Sequence, residues 1–283
     1  MQKPKPSLII FTDLDGCLLN KHDYDWSAAA ATLSRLRELS VPVIMNSSKT
    51  VPEMTQLATE LNLNEQTFIS ENGSVIRWGI DSGESSGTSE VIGVPRDQIL
   101  TVLRQLKPNF SFRSFDDLGL DGVIAETQLP RDQASMALQR QGTEPLLWDD
   151  TEERRLDFEA AIQDHHLTLT RGGRFWHVAG HASKGKAMQR VAQQWAVQNI
   201  PALDIASSGD GQNNAQTVTA AIGDSPIDQS MLDVADVPIG IPTKAGLGVN
   251  IDLNRGIVAT KQGAEGWSQA VSELLLRLDA FPR

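Results

Sequence analysis

Apolar runs and helical patterns alternate over the first seventy residues of the chain. Residues 8–12 form a short continuous apolar run, Leu-Ile-Ile-Phe-Thr, which predicts a buried strand. The segment 26–39 has leucines at helical spacing, and strands predicted at 41–45 and 67–70 flank a helix that Thr50 can cap. Alternation of strand and helix is typical of a parallel sheet covered by helices.

The pattern changes after the third predicted strand. Residues 81–90 are rich in Gly and Ser and predict a loop, after which helices and strands mix as far as residue 179. The elements predicted there are helices at 96–105, 130–140 and 151–164 and strands at 167–170 and 175–179. We interpret residues 84–180 as an inserted α+β domain.

The helix–strand alternation then returns, which assigns residues 1–83 and 181–283 to one α/β core domain. The predicted elements are helices at 184–197, 226–235 and 264–279 and strands at 217–222 and 238–241. The polar stretch 206–216 predicts a loop.

Composition narrows the classes of partner. The 283 residues carry a formal net charge of −11, which disfavours nucleic-acid binding because that binding neutralises phosphates with Lys and Arg. No apolar run approaches the ~20 residues of a membrane span, so we expect no membrane partner. Cys17 is the one cysteine, so no internal disulfide forms and we expect a cytoplasmic protein. An acidic enzyme acting on a phosphorylated substrate must supply positive charge locally, through a few Lys or Arg residues and a divalent metal.

Polar residues follow four of the predicted strands. In an open parallel sheet, ligands bind beyond the carboxyl ends of the strands, so these residues are expected to converge. They are Asp13 and Asp15 after the first strand, Ser47, Ser48 and Lys49 after the second, Glu71, Asn72 and Gly73 after the third, and Gly223, Asp224, Ser225 and Asp228 after the strand at 217–222.

These residue types suit phosphoryl transfer. Asp13, Asp15 and Asp224 offer the hard oxygen ligands that Mg²⁺ prefers, and a metal-bound carboxylate facing phosphorus can act as a nucleophile. Asp15 can exchange a proton with the leaving oxygen and then with water. Ser47 and Lys184 can bond the phosphoryl oxygens. Taken singly, each residue also has a structural explanation, as a turn former, a helix cap or a solvated lysine.

The order of these motifs resembles the haloacid dehalogenase superfamily, with a Rossmann-like core. The segments that carry the resemblance are Asp13-Leu14-Asp15-Gly16, Ser47, Lys184 and Gly223-Asp224-Ser225-Pro226-Ile227-Asp228. The insertion resembles a C2-type cap. The resemblance implies Asp13 as nucleophile, Asp15 as acid and base, Ser47 and Lys184 on the phosphate, Asp224 on Mg²⁺ and Asp228 as a nearby metal or water partner. We expect Asp13, Asp15, Asp224 and Asp228 to surround the ion.

Within the C2-capped branch, the chain is most similar to mannosyl-3-phosphoglycerate phosphatases. The similar segments are Ser47-Ser48-Lys49-Thr50, Arg140-Gln141-Gly142-Thr143-Glu144-Pro145, Gly172-Gly173-Arg174-Phe175-Trp176-His177 and Ser183-Lys184-Gly185-Lys186-Ala187. This resemblance implies hydrolysis of a mannosyl- or glucosyl-3-phosphoglycerate to a glycosylglycerate, a compatible solute. Ile227 departs from the family, which usually has Asn there.

Substrate contacts outside the phosphate site are expected from both parts of the chain. Arg140 and Arg174 either form a bidentate fork for the glycerate carboxylate or are ordinary surface charges. His177 either bonds a sugar hydroxyl or the carboxylate, or is a packing residue. Ser48, Lys49 and Asn72 are further candidates, although Ser47 is favoured over Ser48 for the phosphate hydroxyl.

Other functions remain open from the sequence. The partner is expected to be a small phosphorylated sugar or glycerate metabolite, and the protein a monomer or a homodimer. A phosphatase for another sugar phosphate, such as sucrose phosphate, is the main alternative, followed by a phosphomutase. A non-catalytic phosphate-binding protein is disfavoured because Asp13, Asp15, Lys184 and Asp224 are all present.

Overall fold

The structure is a computed structural model that describes residues 8–63, 67–79, 87–172, 174–198 and 217–280. Within them the strands, in chain order, are β1 (Leu8–Thr12), β2 (Val43–Met45), β3 (Phe68–Ser70), β4 (Val75–Arg77), β5 (Ser89–Val91), β6 (Phe112–Ser114), β7 (Thr143–Trp148), β8 (Thr168–Arg171), β9 (Trp176–Ala179), β10 (Val218–Gly223), β11 (Val237–Gly240) and β12 (Ile257–Val258). The α-helices are α1 (Ala30–Glu38), α2 (Val51–Glu60), α3 (Arg96–Leu106), α4 (Phe115–Thr127), α5 (Arg131–Ala137), α6 (Glu152–Gln163), α7 (Lys184–Gln198), α8 (Gln229–Val234) and α9 (Gly263–Ala280).

The core is a five-stranded parallel sheet in the order β12-β11-β10-β1-β2. Strand β1 lies between β10 and β2 and is buried throughout, with Leu8 opposite Val218 of β10 and Ile10 opposite Val43 of β2. Parallel strands covered on both faces are uniformly apolar, which explains the continuous run that predicted β1. The α/β class with a parallel core is confirmed.

Two apolar clusters cover the two faces of this sheet. On one face, Leu8 and Ile10 share a cluster with leucines of α1 and with Trp267 of α9. On the other, Ile9 and Phe11 pack with side chains of α7 and α8. The alternation of β1 side chains between the two clusters gives the core its three layers.

The third predicted strand does not continue the parallel ladder. β3 pairs antiparallel with β4, and β4 with β5, although one parallel bridge joins Ile69 to Asn46 beside β2. The chain reverses between β3 and β4 in a 3₁₀ turn at Glu71–Gly73, where all three residues have positive φ. This left-handed turn was not predicted, and it brings Glu71 and Asn72 back beside the end of β2.

A second, antiparallel sheet has the order β6-β7-β9-β8 and lies within the predicted insertion. Helices α3 and α6 bury one of its faces through a cluster that includes Ile99, Leu146 and Phe158. Helices α4 and α5 share a smaller cluster, to which α4 contributes Phe115 and Val123 and α5 contributes Ala134 and Ala137. β5 pairs with β4 instead of with this sheet, and the exact boundaries at 83/84 and 180/181 stay a prediction.

Several elements differ from their predicted extents. The sequence did not predict α4, β4, β5, β6, β7 or β12, and β5 begins inside the predicted loop at 81–90. The predicted helix at 26–39 is a 3₁₀ turn at Ser27–Ala29 followed by α1. The predicted loop at 206–216 and most of the one at 81–90 lie outside the described residues. None of the described helices has the length and hydropathy needed to cross a membrane.

Candidate active site

The ends of β1, β2 and β10 meet at one edge of the parallel sheet and carry the predicted polar residues. The Asp13 amide donates to Ile222 O of β10 (2.9 Å), and the Asn46 amide donates to Thr12 O of β1 (2.8 Å). Asp13, Ser47 and Asp224 therefore leave neighbouring strands side by side, as the topology of the sheet requires.

A buried lysine joins two carboxylates at this edge. Lys184 begins α7, and its Nζ lies 2.6 Å from Asp13 Oδ1 and 2.6 Å from Asp228 Oδ1. Although burial opposes its charge, the two aspartates raise the pKa of Lys184 above its ordinary value. Asn46 Nδ2 donates to the Lys184 carbonyl (3.2 Å), which ties the start of α7 to the end of β2.

Asp13 is surrounded by charges of both signs. Burial raises the pKa of Asp13 to about 7; Lys184 opposes this shift, and Asp228 adds to it. A carboxyl group with this pKa is only partly ionised near neutral pH in the metal-free protein. A cation bound beside it would favour the ionised form.

Asp228 has donors at both carboxylate oxygens. Oδ1 accepts from Lys184, while Oδ2 accepts from the amides of Asp224 and Ser225 (3.1 Å each) and from Ser225 Oγ (2.9 Å). Asp228 is completely buried. These bonds make it a support for Lys184 and for the turn that carries Asp224, and its role as a metal or water partner stays a prediction.

A set of possible metal ligands lies beside this lysine. Oxygens of Asp13 and Asp224 and the sulfur of Cys17 lie within 4.8 Å of one another. Gly16 has φ +97°, and a Cβ there would lie 2.6 Å from Asp224 Oδ2, so only glycine fits beside that carboxylate. Two carboxylates in this arrangement fit a hard divalent cation. Cys17 is a neighbour that the sequence did not predict, and burial raises the pKa of its thiol well above the ordinary value.

Asp15 lies outside that set and pairs with Lys49. Lys49 Nζ is 2.9 Å from Asp15 Oδ2, whereas Asp15 Oδ1 is buried and has no hydrogen-bond partner among the described residues. Burial opposes the charge of Lys49, but Asp15 raises its pKa. On the other side of the site, Lys21 Nζ lies 3.5 Å from Asp224 Oδ2. Local positive charge therefore comes from Lys21, Lys49 and Lys184 in an otherwise acidic chain.

The loop after β2 holds the predicted hydroxyl. Ser47 is buried with 1% exposure and its Oγ accepts from the Lys49 amide at 3.4 Å, while Ser48 is half-buried. Thr50 caps α2 through a capping box with Glu53, as the sequence predicted for the cap. The loop is thus fixed at both ends, by the β2 ladder and by the helix cap.

The three predicted substrate contacts from the insertion have different surroundings. The side chain of Arg140 is buried, and it donates to Ser48 O (2.9 Å) and to Thr143 Oγ1 (2.7 Å), so it reaches the loop after β2. His177 Nδ1 has no partner in the described ranges of the chain, and burial, followed by the charge of Arg140, lowers the pKa of His177 to about 3. Arg174 is exposed.

The third strand end contributes two polar residues to the same region. Asn72 Oδ1 is buried, and no hydrogen-bond partner lies near it within the part of the chain that the structure describes. Glu71 is completely buried and bonds residues 141–143 of the insertion. The sequence suggested Asn72 as a contact but assigned no role to Glu71.

Comparison with known proteins decides the family. Residues 10–216, well over half of the chain, match the profile of the haloacid dehalogenase-like hydrolases. The chain belongs to this family. A haloacid dehalogenase-like fold with a cap domain accounts for both the parallel sheet and the inserted antiparallel sheet.

Solved structures of low sequence identity share this fold. A protein from Thermoplasma acidophilum matches with a TM-score of 0.62 at 13% identity, over 96% of this chain and 97% of its own. A phosphatase of the haloalkanoate superfamily from Bacteroides thetaiotaomicron matches with a TM-score of 0.62 at 12% identity, over 96% and 94%. A haloacid dehalogenase-like hydrolase from B. subtilis matches with a TM-score of 0.57 at 18% identity, over 97% and 99%.

Membership of this family makes the chain a hydrolase. A phosphoric monoester hydrolase is consistent with the family and with the phosphatase among the similar structures. Haloacid dehalogenase-like hydrolases typically use a metal ion, and the Asp13–Asp224 pair supplies an acidic cluster for one. The hydrolase therefore brings together a carboxylate at the end of β1, a buried lysine and a possible cation site.

Proposed function

We propose that this hydrolase is a Mg²⁺-dependent phosphatase that acts on a glycosyl-3-phosphoglycerate through an aspartyl-phosphate intermediate. The observation that carries the phosphatase chemistry is the contact of Lys184 with Asp13, 2.6 Å long and buried beside Asp224. A carboxylate with a neighbouring cation at the end of a parallel strand suits attack on a phosphate group.

Asp13 is the nucleophile in this proposal. An oxygen of Asp13 attacks phosphorus, the bond between phosphorus and the ester oxygen breaks, and the leaving alkoxide takes a proton from Asp15. Water then attacks the phosphoryl group and gives a proton to Asp15. The bond between phosphorus and Asp13 breaks, which releases inorganic phosphate and restores both aspartates.

The neighbouring residues have supporting roles. Lys184 and Ser47 bond the phosphoryl oxygens and stabilise their charge. Lys49 holds Asp15 through Oδ2, which leaves the unpartnered Oδ1 as the atom that carries the proton. Asp13 and Asp224 would hold Mg²⁺, which would supply positive charge beside the phosphate.

The glycerate specificity rests on the similarity of the sequence to mannosyl-3-phosphoglycerate phosphatases. His177 supports it as a neutral hydrogen-bonding group with a free Nδ1, and exposed Arg174 remains a candidate for the carboxylate. Arg140 is a weaker candidate because two of its donors already bond Ser48 and Thr143.

A substrate panel tests the proposal. We expect phosphate release from mannosyl- or glucosyl-3-phosphoglycerate that requires Mg²⁺ and disappears in Asp13→Asn. Turnover confined to sucrose phosphate or hexose phosphates would keep the chemistry and reject the glycerate specificity. Conversion of a sugar phosphate to its isomer without phosphate release would indicate a phosphomutase, and no reaction with any ester would favour a binding protein.

A further inference from the structure

Glu71 joins the turn after β3 to the inserted domain. Its carboxylate accepts from the Gln141 amide at 2.8 Å, the Gly142 amide at 3.2 Å and Thr143 Oγ1 at 2.6 Å. The residue is fully buried and has φ +52°, a conformation that costs energy in any residue with a side chain. Such a conformation persists where surrounding contacts hold it, and here three donors of the insertion do so.

The same region fixes the loop after β2. The carbonyl oxygens of three consecutive loop residues each accept one hydrogen bond, two from the turn after β3 and one from the insertion. The bonds run from Asn72 N to Ser47 O, from Arg140 Nη2 to Ser48 O and from Glu71 N to Lys49 O, each 2.9 Å long.

Arg140 closes this network. Its Nε donates to Thr143 Oγ1 at 2.7 Å and lies 3.6 Å from Glu71 Oε2. We call Glu71, Arg140 and Thr143 the Glu71 cluster. Because Glu71 and Arg140 each bond both the loop and the insertion, a displacement of residues 140–143 would change the bonds of Ser48 and Lys49.

We propose that Glu71 is a positioning residue that couples docking of the inserted domain to the shape of the phosphate-binding loop. It acts through Ser47 and Lys49 and does not touch the substrate. The inference rests on the proposed function, since it takes the loop after β2 as the part that binds phosphate. It also gives Arg140 a role in loop geometry in place of substrate binding.

Glu71→Gln is a sharp test because both carboxylate oxygens accept from a backbone amide. Whichever way the glutamine side chain flips, its NH₂ group faces the amide of Gln141 or Gly142, so one donor loses its acceptor. Arg140→Met is the second variant, which removes the bond to Ser48 O and leaves the Glu71 backbone in place.

Glu144→Gln is the matched control. Glu144 is also a fully buried glutamate, and it bonds Arg96 Nε at 2.6 Å and the Asp116 amide at 2.8 Å, both within the insertion. The substitution removes the same charge one residue beyond Thr143, without a bond to the loop after β2.

The measurement is binding of inorganic phosphate to the full-length protein with Mg²⁺, by calorimetry, together with kcat and KM. We expect the dissociation constant of phosphate to rise by about tenfold or more in Glu71→Gln and in Arg140→Met, because small displacements of binding groups have large effects. Glu144→Gln should bind phosphate like wild type even where its melting temperature falls.

If Glu71→Gln and Arg140→Met bind phosphate with wild-type affinity and only their melting temperatures fall, the Glu71 cluster stabilises the fold and does not position the loop. Equal loss of affinity in Glu144→Gln would also overturn the proposal, since general destabilisation would explain it. A wild-type protein that neither binds phosphate nor hydrolyses a phosphate ester would reject the proposed function, and the positioning role with it.

Discussion

Lys184 provides the most direct test of the electrostatics at the site, through Lys184→Met. The substitution keeps an unbranched side chain of similar length and leaves two buried carboxylates, Asp13 and Asp228, without the cation that now bonds both at 2.6 Å. Two charge-assisted hydrogen bonds are worth about 1.5–3 kcal/mol each, and removing one partner of a buried ion pair costs roughly 3–5 kcal/mol.

The summed value of the two hydrogen bonds and the cost of breaking the buried ion pair both include a loss of about 4 kcal/mol in the free energy of unfolding. For a chain of this size, 1 kcal/mol corresponds to roughly 2–4 °C, so the melting temperature should fall by roughly 8–16 °C. The assay is thermal unfolding in the presence of a chelator, followed by intrinsic fluorescence. Lys186→Met is the control, because Lys186 is exposed on the same helix and its Nζ donates to a backbone carbonyl, His181 O, and to no carboxylate among the described residues. It should change the melting temperature little.

Comparing Asp228→Asn in the wild-type and Lys184→Met backgrounds tests the pairing of these two charges more directly than Lys184→Met alone. In the wild-type background Asp228→Asn should destabilise, because the amide NH₂ then faces Lys184. In the Lys184→Met background it removes an unpaired charge, while the oxygen of the introduced amide can still accept the bonds of Ser225, so it should restore part of the loss. The reasoning fails if Lys184→Met melts within 2 °C of wild type, or if Asp228→Asn has the same effect in both backgrounds.

Four further predictions concern the acidic cluster. Asp13→Asn should abolish turnover in a phosphate-release assay while the circular dichroism spectrum stays that of wild type. Because burial raises the pKa of Asp13 from 3.8 to about 7, its contribution to stability is present below pH 3.8 and lost as the pH rises to 7. The free energy of unfolding of metal-free Asp13→Asn should therefore rise relative to that of wild type by about 1.4 kcal/mol for each pH unit over that range. His177 has the opposite trend, but it is present in both proteins and cancels in the difference. A difference that does not depend on pH would contradict the raised pKa of Asp13. Mg²⁺ should accordingly raise the wild-type melting temperature more at pH 8 than at pH 5, and equal shifts would argue against an ion at Asp13. Gly16→Ala should weaken Mg²⁺ affinity about tenfold in calorimetry by displacing Asp224, and unchanged affinity would place the ion elsewhere.

The core and its strand ends could be predicted because a parallel sheet leaves a strong local signal. A run that is apolar without interruption, such as the one in β1, has few structural explanations, and the polar residue that follows it marks the edge of the sheet. Asp13, Ser47 and Asp224 were therefore placed correctly at strand ends, although no comparison tests their roles. The start of α7 at Lys184 was also predicted, and it agrees with the structure.

Three of the missed features have sequences that contradict their local conformation. Helix α4 contains Gly119 at φ +60° and Gly122, residues that predict a loop. Strand β7 contains Pro145, which disfavours a strand between two neighbours. The turn at Glu71–Gly73 has positive φ at Glu71, which sequence patterns do not anticipate.

The side-chain contacts within the site could not be predicted from the sequence, for a different reason. The contacts of Lys49 with Asp15 and of Glu71 with Thr143 join residues 34 and 72 positions apart. Their residue types fit many partners, so only the folded chain selects one. Cys17 had no sequence signal beyond its position after Gly16.

The register of β1 has a consequence for synthesis of the protein. Leu8 pairs with Val218, so one edge of the buried strand β1 has no strand partner until a segment about 210 residues later has been made. At translation rates of about 5–20 residues per second, this interval lasts on the order of 10–40 s. The inserted domain leaves the ribosome complete within that time, whereas β1 must be shielded by α1, α2 or a chaperone against intermolecular strand pairing. We therefore expect slow translation or chaperone depletion to aggregate the nascent amino-terminal segment before it affects the insertion.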